Sequence, residues 1–443
     1  MSHTDAVSSV RLDHTPTIPL HEACRIVMAA CVAAQPSAVL LRNALSHVAA
    51  DDVRSSVVVP PFNNSEMDGF AVVAEDCASS STRLKVVTSI MAGEAATTEL
   101  QSGQAARIMT GAPIPPGATA VCPVERTELD GDTLVLEGVV QPGDHVRLAG
   151  DDISPGDVVV RSGSSLGPIQ IALLESIGCS EVLTYPPPRV GVLATGDELM
   201  GAGEAGIRDS NSSMLLAALA LEQFPTVDLG IVGDDAGEII RRLGEATERC
   251  DAVITTGGVS VGDRDVVRLT IDRLPTVTRQ WMRVAIKPAK PFMFALLDAA
   301  PRTVPLFGLP GNPVSALVSF ELFARPALRR MAGRRFLWRP LTAGIATEDF
   351  RRRLDGKTHF VTAVARMSKD QTVEIRPCGR QGSHRLSSLG TANALAVLPD
   401  GSGVATGGRV SVFLLDADAL FTGDPLEPLG FDVPISDLIP GCE

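Results

Sequence analysis

The apolar run Ala252-Val253-Ile254 has no polar alternation and breaks at once into Thr255-Thr256-Gly257-Gly258. A strand buried on both faces reads this way. Val190–Ala194 repeats the pattern and runs into Thr195-Gly196-Asp197-Glu198. Helical segments separate these runs. One is 209–224, with Asp, Ser and Asn at its start. Another begins at Asp235, with Glu238 three residues on in a capping-box-like pattern, and carries Ile239, Ile240, Leu243 and Ala246 on one face. Thr226–Val232 and Val304–Gly308 read as further strands, and Asn312-Pro313 supplies an N-cap and a first helical residue. Strands alternating with helices predict a mostly parallel, covered sheet. Ligands of such sheets sit beyond the carboxyl ends of the strands, where glycines let backbone approach an anion. Taken alone, the 251–265 string is equally a tight turn with solvated acids.

A chain of 443 residues predicts about three domains. Net charge is −13 and no basic stretch is long, which argues against a nucleic-acid partner. An acidic protein that binds an anion must gather a few cations locally. Eight cysteines show no CxxC and no zinc spacing, so they read as reduced thiols of a cytoplasmic protein. The start lacks a signal-peptide pattern. No apolar run approaches the roughly 20 residues that span a bilayer, so no membrane role is expected.

Ile18 to Ala50 reads as helix, and Val53–Val59 as a strand ended by Pro60-Pro61. Residues 62–145 read as β-rich, with strands at Phe70–Val73, Leu84–Ser89, Ala105–Met109, Ala120–Val124 and Thr133–Val140. Asp68 stands in a Met-Asp-Gly turn and Thr110 precedes Gly111; singly, each also fits a turn or cap role. A short helix closes at Gly178, and Tyr185-Pro186-Pro187-Pro188 marks a boundary. From about 336, strands at Leu341–Thr347, His359–Arg366, Val373–Pro377, Ala394–Leu398 and Arg409–Leu414 predict a small β domain.

Five loops follow strands or open helices: TGDEL, DSNSS, VGDD, TTGGVSVGDRD and LPGNPVS. They assign substrate binding to Thr195, Gly196, Ser210, Gly257, Gly258, Ser260, Gly262, Pro310, Gly311 and Asn312. The acids are Glu198, Asp234, Asp263 and Asp265, and VAIKPAKP adds Lys287 and Lys290. Glycine loops, acids and lysines together suit a phosphate-bearing substrate with a divalent cation, for which Glu198, Asp263 and Asp265 are the candidate ligands. Acyl transfer fits poorly: there is no GxSxG, and all seven histidines lie outside 146–358, so no catalytic base is indicated nearby.

The strings NNSEMDGFAV, RIMTGAPIPPGATAV, VLATGDEL, DSNSSMLLA, TTGGVSVGDRD, VAIKPAKP, FGLPGNPVSALVSFELFARPAL and QGSHRLSSLGTANALAVLP carry a resemblance over roughly residues 18–415. The chain resembles the molybdopterin molybdenumtransferases, the MoeA and gephyrin E-domain family. That resemblance implies a multidomain α/β and β fold in four parts. These are an elongated helical domain (16–61 and 146–185), an inserted β domain (62–145), a central mostly parallel α/β sandwich of the MogA/MoaB type (186–332) and a C-terminal β-barrel (336–420), before an irregular tail (421–443).

The resemblance also implies transfer of molybdate to adenylylated molybdopterin with release of AMP. It implies Mg²⁺ as cofactor, a homodimer with active sites across the subunit interface, and the molybdopterin adenylyltransferase as a further partner. Asp68 and Thr110 then belong to the inserted domain's side of the site, while Glu198, Asp234 and Asp265 are the central acids. Lys287 and Lys290 match the family's KPxKP lysines. Ser315 and Ser388 match positions implied in molybdate contact. Two departures stand out. The family's KPGKP reads KPAKP, with Ala289, and the arginine of its GRTxF is Lys357. A catalytically silent pterin-binding relative and a gephyrin-like scaffold are the alternatives. The intact acids and lysines argue against the first, and a length without room for appended domains argues against the second.

Overall fold

The computed structural model describes residues 16–199, 207–258, 270, 276–368, 370–416 and 420. The described residues form two compact units, one of 37–184 and one of those before 37 and after 184. The second unit holds a seven-stranded sheet. Its strands are β1 (Thr17–Ile18), β2 (Val190–Thr195), β3 (Thr226–Val232), β4 (Ala252–Thr256) and β5 (Thr276–Val284), followed, after the two-residue β6 (Ile286–Lys287), by β7 (Pro291–Ala299) and β8 (Arg302–Leu309). The order is β1-β5-β7-β8-β4-β2-β3. Neighbours from β8 to β3 are parallel, as the sequence predicts. Strand β7 is antiparallel to both β5 and β8, so the sheet is mixed. Strands β5 and β7 are not among those the sequence predicts, although PFMFALLDA is itself an unalternated apolar run.

Every residue of β2 and β4 is buried because each strand feeds two cores. Val190, Val192, Ala252 and Ile254 pack with helices α1 (Leu20–Ala30) and α2 (Ser210–Leu221). Leu193 and Val253 pack with Ile239, Leu243 and Ala246 of α3 (Ala236–Arg249). Asp235 caps α3 as its capping pattern predicts, its carboxylate accepting from the Glu238 N–H at 2.8 Å. Beyond β8 a long helical stretch begins as α4 (Pro313–Ser319), passes through a π-helical turn (Phe320–Ala324) and ends as α5 (Arg325–Met331). The barrel comprises β9 (Leu341–Ala346), β10 (Thr358–Met367), β11 (Val373–Pro377), β12 (Ala394–Leu398) and β13 (Arg409–Leu414). It closes in the order β10-β11-β9-β13-β12-β10, and β6 adds to it beside β10.

Two local readings are corrected. The helix expected over 18–50 is confined to Leu20–Ala30, and a strand, Ser37–Leu40, follows Pro36. Proline cannot donate to a helix and pushes its predecessor toward extended backbone. The strand expected over 53–59 shrinks to Val53–Arg54.

The 37–184 unit is built on a six-stranded sheet containing Gly69–Val72, Ser81–Ile90, Gln104–Ile108, Ala120–Pro123, Thr127–Asp130 and Thr133–Glu137. A smaller core around Leu41, Leu166, Leu174 and Val182 gathers short strands and the helix Pro168–Ser176. Seven cysteines fall among the described residues and all are free. Among the described residues, no helix is long and apolar enough to cross a membrane.

Candidate active site

Strands β2, β4 and β8 end side by side, and each is followed within two residues by glycine. Gly257 has φ +92°, and a Cβ there would stand 2.2 Å from the Thr195 carbonyl oxygen, so only glycine fits. A Cβ on Gly311 would meet the Cα of Gly257 at 3.6 Å, so these loops touch. Asn211 of α2 ties them together: its Nδ2 donates to Thr256 Oγ1 at 2.8 Å and to the Gly311 carbonyl at 2.7 Å. Above this floor lies a cavity of about 1530 Å³, shared between the carboxyl ends of the strands and the barrel. Thr195, Gly257, Gly258, Pro310, Gly311 and Asn312 line it, with Ser210 from α2 and Ser315 from α4. The Val314 N–H donates to the Ser383 carbonyl at 3.0 Å, which fastens α4 to the barrel segment. Asn312 was expected to cap α4, but its side chain makes no cap bond. It lines the cavity instead.

The acids collect at the β2 end. Glu198 lines the cavity, and its carboxylate lies over Gly196 so closely that a Cβ there would be 2.5 Å from Oε2. The Asp234 N–H donates to Asp197 Oδ1 at 2.8 Å. Burial, then the charges of Asp197 and Glu198, push the Asp234 carboxyl above the usual carboxylate range. Such crowding of like charge fits a divalent cation, which would relieve it. No three metal-ligating side chains form a ready site among the described residues. Asp263 and Asp265, with Ser260 and Gly262, lie outside the described residues. Gly196 and Asp234 stand beside the acids and are not among the lining residues described.

The lysines come from β6, the turn after it and the barrel. Strand β6 pairs with β10 in parallel, setting Lys287 against His359. Pro288-Ala289 turns the chain, and the Val284 N–H donates to the Lys290 carbonyl at 2.7 Å. Both Lys287 and Lys290 line the cavity. Ala289, where the family has glycine, is buried at φ +71°. A left-handed alanine costs about 1–2 kcal/mol, and a buried methyl contributes about 0.8 kcal/mol. Ala289→Gly is therefore expected to leave stability within about 1 kcal/mol of the parent or raise it. A urea-unfolding loss larger than about 2 kcal/mol would show that the packing of the methyl dominates.

Lys357 lines the cavity with its Nζ 3.3 Å from Asp355 Oδ2. Asp355 also accepts from Arg352 Nη2 at 3.1 Å. The Arg352 side chain is fully buried, donates to the carbonyls of Lys357 and Leu398 at 2.9 Å and pairs with Asp400. His359 and His384 also line the cavity. No histidine lies within 146–358, so the sequence indicates no base nearby, but the barrel brings these two to the cavity. Extended residues two apart share a face, so Lys357 already pointed to His359. Ser388 donates its Oγ to the Arg385 carbonyl at 2.7 Å and is not among the lining residues described.

In the 37–184 unit, Asp68 and Thr110 meet across 42 residues of sequence. Asp68 Oδ1 accepts from the Thr110 N–H and from its Oγ1, both at 2.7 Å. These two bonds, the backbone one first, hold the Asp68 carboxyl below its ordinary range. The contact spans 42 residues, so it is not the local bond of an Asx turn or a cap.

Residues 18–178 match a family profile described as the MoeA N-terminal region, domains I and II. Residues 191–330 match a "probable molybdopterin binding domain", and 344–415 the MoeA C-terminal region, domain IV. The molybdopterin molybdenumtransferase of Haemophilus influenzae is 36% identical over 376 residues, covering 83% of this chain and 91% of that protein. Molybdopterin molybdenumtransferase 2 of Mycobacterium tuberculosis is 35% identical over 402 residues, covering 88% and 97%. The crystal structure of the molybdopterin biosynthesis MoeA protein of Pyrococcus horikoshii superposes with a TM-score of 0.73 at 28% identity, covering 90% of this chain and all of that one. The chain thus belongs to the molybdopterin molybdenumtransferase family and is a transferase of molybdenum cofactor biosynthesis.

Proposed function

We propose that the protein joins molybdate to adenylylated molybdopterin, releasing AMP, with Mg²⁺ as cofactor. One observation carries this reading: a single large cavity has a glycine floor, an acidic end and a cationic wall, in a protein of net charge −13. A phosphate-bearing pterin suits the backbone donors of the floor, and a dianionic oxyanion suits Lys287, Lys290 and Lys357. Glu198, with Asp263 and Asp265, would hold Mg²⁺, which when bound neutralises and polarises phosphoryl oxygens. Asp234 would add charge beside it. Ser210 and Ser315 offer hydroxyls to the substrate, and Asn211 keeps the floor rigid. Asp68 and Thr110 are proposed as catalytic residues, and Ser388 as a molybdate contact, on their motif matches alone. The proposal includes a homodimer whose adenylylated substrate comes from the molybdopterin adenylyltransferase. The free thiols suit a reducing compartment such as the cytoplasm.

The test is incubation with adenylylated molybdopterin, molybdate and Mg²⁺, followed by assay of AMP and active cofactor. AMP release that needs both molybdate and Mg²⁺ is the expected result. Binding of the pterin with no AMP released would overturn the reading in favour of a catalytically silent relative.

A further inference from the structure

The pair formed by Asp355 and His359 has no role in the reading above. His359 Nε2 lies 3.1 Å from each carboxylate oxygen of Asp355. A carboxylate only accepts, so the ring proton sits on Nε2. In the neutral ring Nδ1 is then the basic nitrogen. It has no hydrogen-bond partner among the described residues and is not sealed from solvent. The ring stands in the cavity wall, with Lys287 as its cross-strand neighbour. A carboxylate fixing one imidazole nitrogen while the other stays available is the arrangement of an oriented acid–base group.

The charged groups around His359 come from three places. Asp355 and Lys357 precede it in the chain, Arg352 approaches from the segment after Phe350–Arg351, and Lys287 comes from β6. Asp400, after β12, pairs with Arg352. Burial first, with Arg352 and Lys287, outweighs the pull of Asp355 and holds the ring below the usual 6.5. The imidazole is therefore neutral at pH 7 and able to take a proton.

We propose that His359 relays a proton from a thiol of molybdopterin to the departing oxygen of molybdate, with Asp355 as its positioning residue. This rests on the function proposed above. Joining both pterin sulfurs to molybdenum breaks two S–H bonds and one Mo–O bond. It forms two Mo–S bonds and one water, with sulfur lone pairs entering the new bonds and the Mo–O pair leaving on oxygen. Molybdenum keeps its oxidation state, so no oxidant or reductant takes part. Nδ1 accepts a thiol proton, passes it to the leaving oxygen, and returns to its starting form.

The experiment measures kcat and the KM for molybdate between about pH 5 and pH 8 for the wild type, His359→Gln, His359→Ala and Asp355→Asn. Binding of adenylylated molybdopterin to each is followed by calorimetry. Wild-type kcat should rise with pH through a value below 6.5. His359→Gln should lose about 100-fold in kcat and lose that rise, with pterin binding and molybdate KM little changed. Free imidazole should restore part of the activity of His359→Ala, which a purely structural role does not allow. Asp355→Asn should move the rise to lower pH, since the carboxylate favours the protonated ring. His359→Gln with unchanged kcat and pH profile, or with only the molybdate KM altered, would overturn the relay while leaving the proposed function standing. A wild type that makes no AMP and no cofactor would overturn both.

Discussion

Glu222→Gln should destabilise the protein by about 3–5 kcal/mol. Glu222 follows α2 directly, and its side chain is 9% exposed. Three guanidinium groups converge on it. Arg325 Nε donates to Oε1 at 2.6 Å, Arg329 Nη1 to Oε2 at 2.6 Å and Arg334 Nη1 to Oε2 at 2.7 Å. Arg334 also donates to the Glu222 carbonyl at 2.7 Å. Neutralising the carboxylate leaves Arg325, 6% exposed, with Glu321 as its remaining acid at 3.7 Å. Glu321 is already engaged by Arg339 Nε at 2.8 Å. The cost is that of cations left buried without a full charge partner, and it falls on the joint between α2 and α5.

That joint also matters for the site. It holds α2, which carries Ser210 and Asn211, against the helical stretch whose first turn carries Ser315. The pH dependence follows from the carboxylate. Burial alone would raise its pKa, but Arg325 and Arg329 outweigh burial and hold it below the usual 4.5. A depressed folded-state pKa gives stability that is fully present above the unfolded value and is lost as pH falls below it. The gap in urea midpoint between wild type and variant should therefore be widest near neutrality and narrow below about pH 4.5. A gap worth less than about 1 kcal/mol at pH 7 would show that the cluster behaves like a surface ion pair.

Lys290→Ala should raise the molybdate concentration for half-maximal cofactor formation by about 10- to 100-fold. Hydrogen bonds to charged groups contribute about 1.5–3 kcal/mol, and about 1.4 kcal/mol is tenfold in affinity. The charge of the whole chain opposes an anion, so local cations must supply the attraction. Lys290 and Lys287 flank one turn of the cavity wall, and Lys357 is shared with Asp355. Lys357→Arg should keep activity and tighten molybdate use, because a planar fork can bond Asp355 and an oxyanion together where a point charge must choose. The measurement is cofactor yield against molybdate at saturating adenylylated pterin. An unchanged curve for Lys290→Ala would remove it from oxyanion capture, and a Lys357→Arg curve displaced to higher molybdate would do the same for the barrel loop.

Much of the fold was legible because its signals are local. Unalternated runs marked β2 and β4, and five short strand-like segments after residue 336 marked the barrel. Asp235 and Glu238 marked the start of α3 from three residues apart. Glycine at 257 was readable as a backbone need, although its partner, the Thr195 carbonyl, was not. Most loop residues line one cavity because they follow the parallel strands β2, β4 and β8, whose carboxyl ends share one edge, and the lysines reach it from β6 and the turn after it. The eight family strings identify the transferase family by themselves.

The sequence alone thus determined the buried strands β2 and β4, the cap of α3, the glycine loops and the family, since each depends on residues a few positions apart or on a linear string. The tertiary structure alone decided which charged groups meet. Glu222 finds Arg325 across 103 residues and Asp68 finds Thr110 across 42. Packing of β6 against β10 sets Lys287 beside His359, and with it the histidine the sequence had set aside. Ala289 takes a left-handed conformation that the exchange of alanine for glycine does not show by itself. The physical reason is that periodicity and capping are near-neighbour effects along the chain. Burial, Coulomb energy and proton affinity depend on distance in space, and that distance exists only once remote segments have packed.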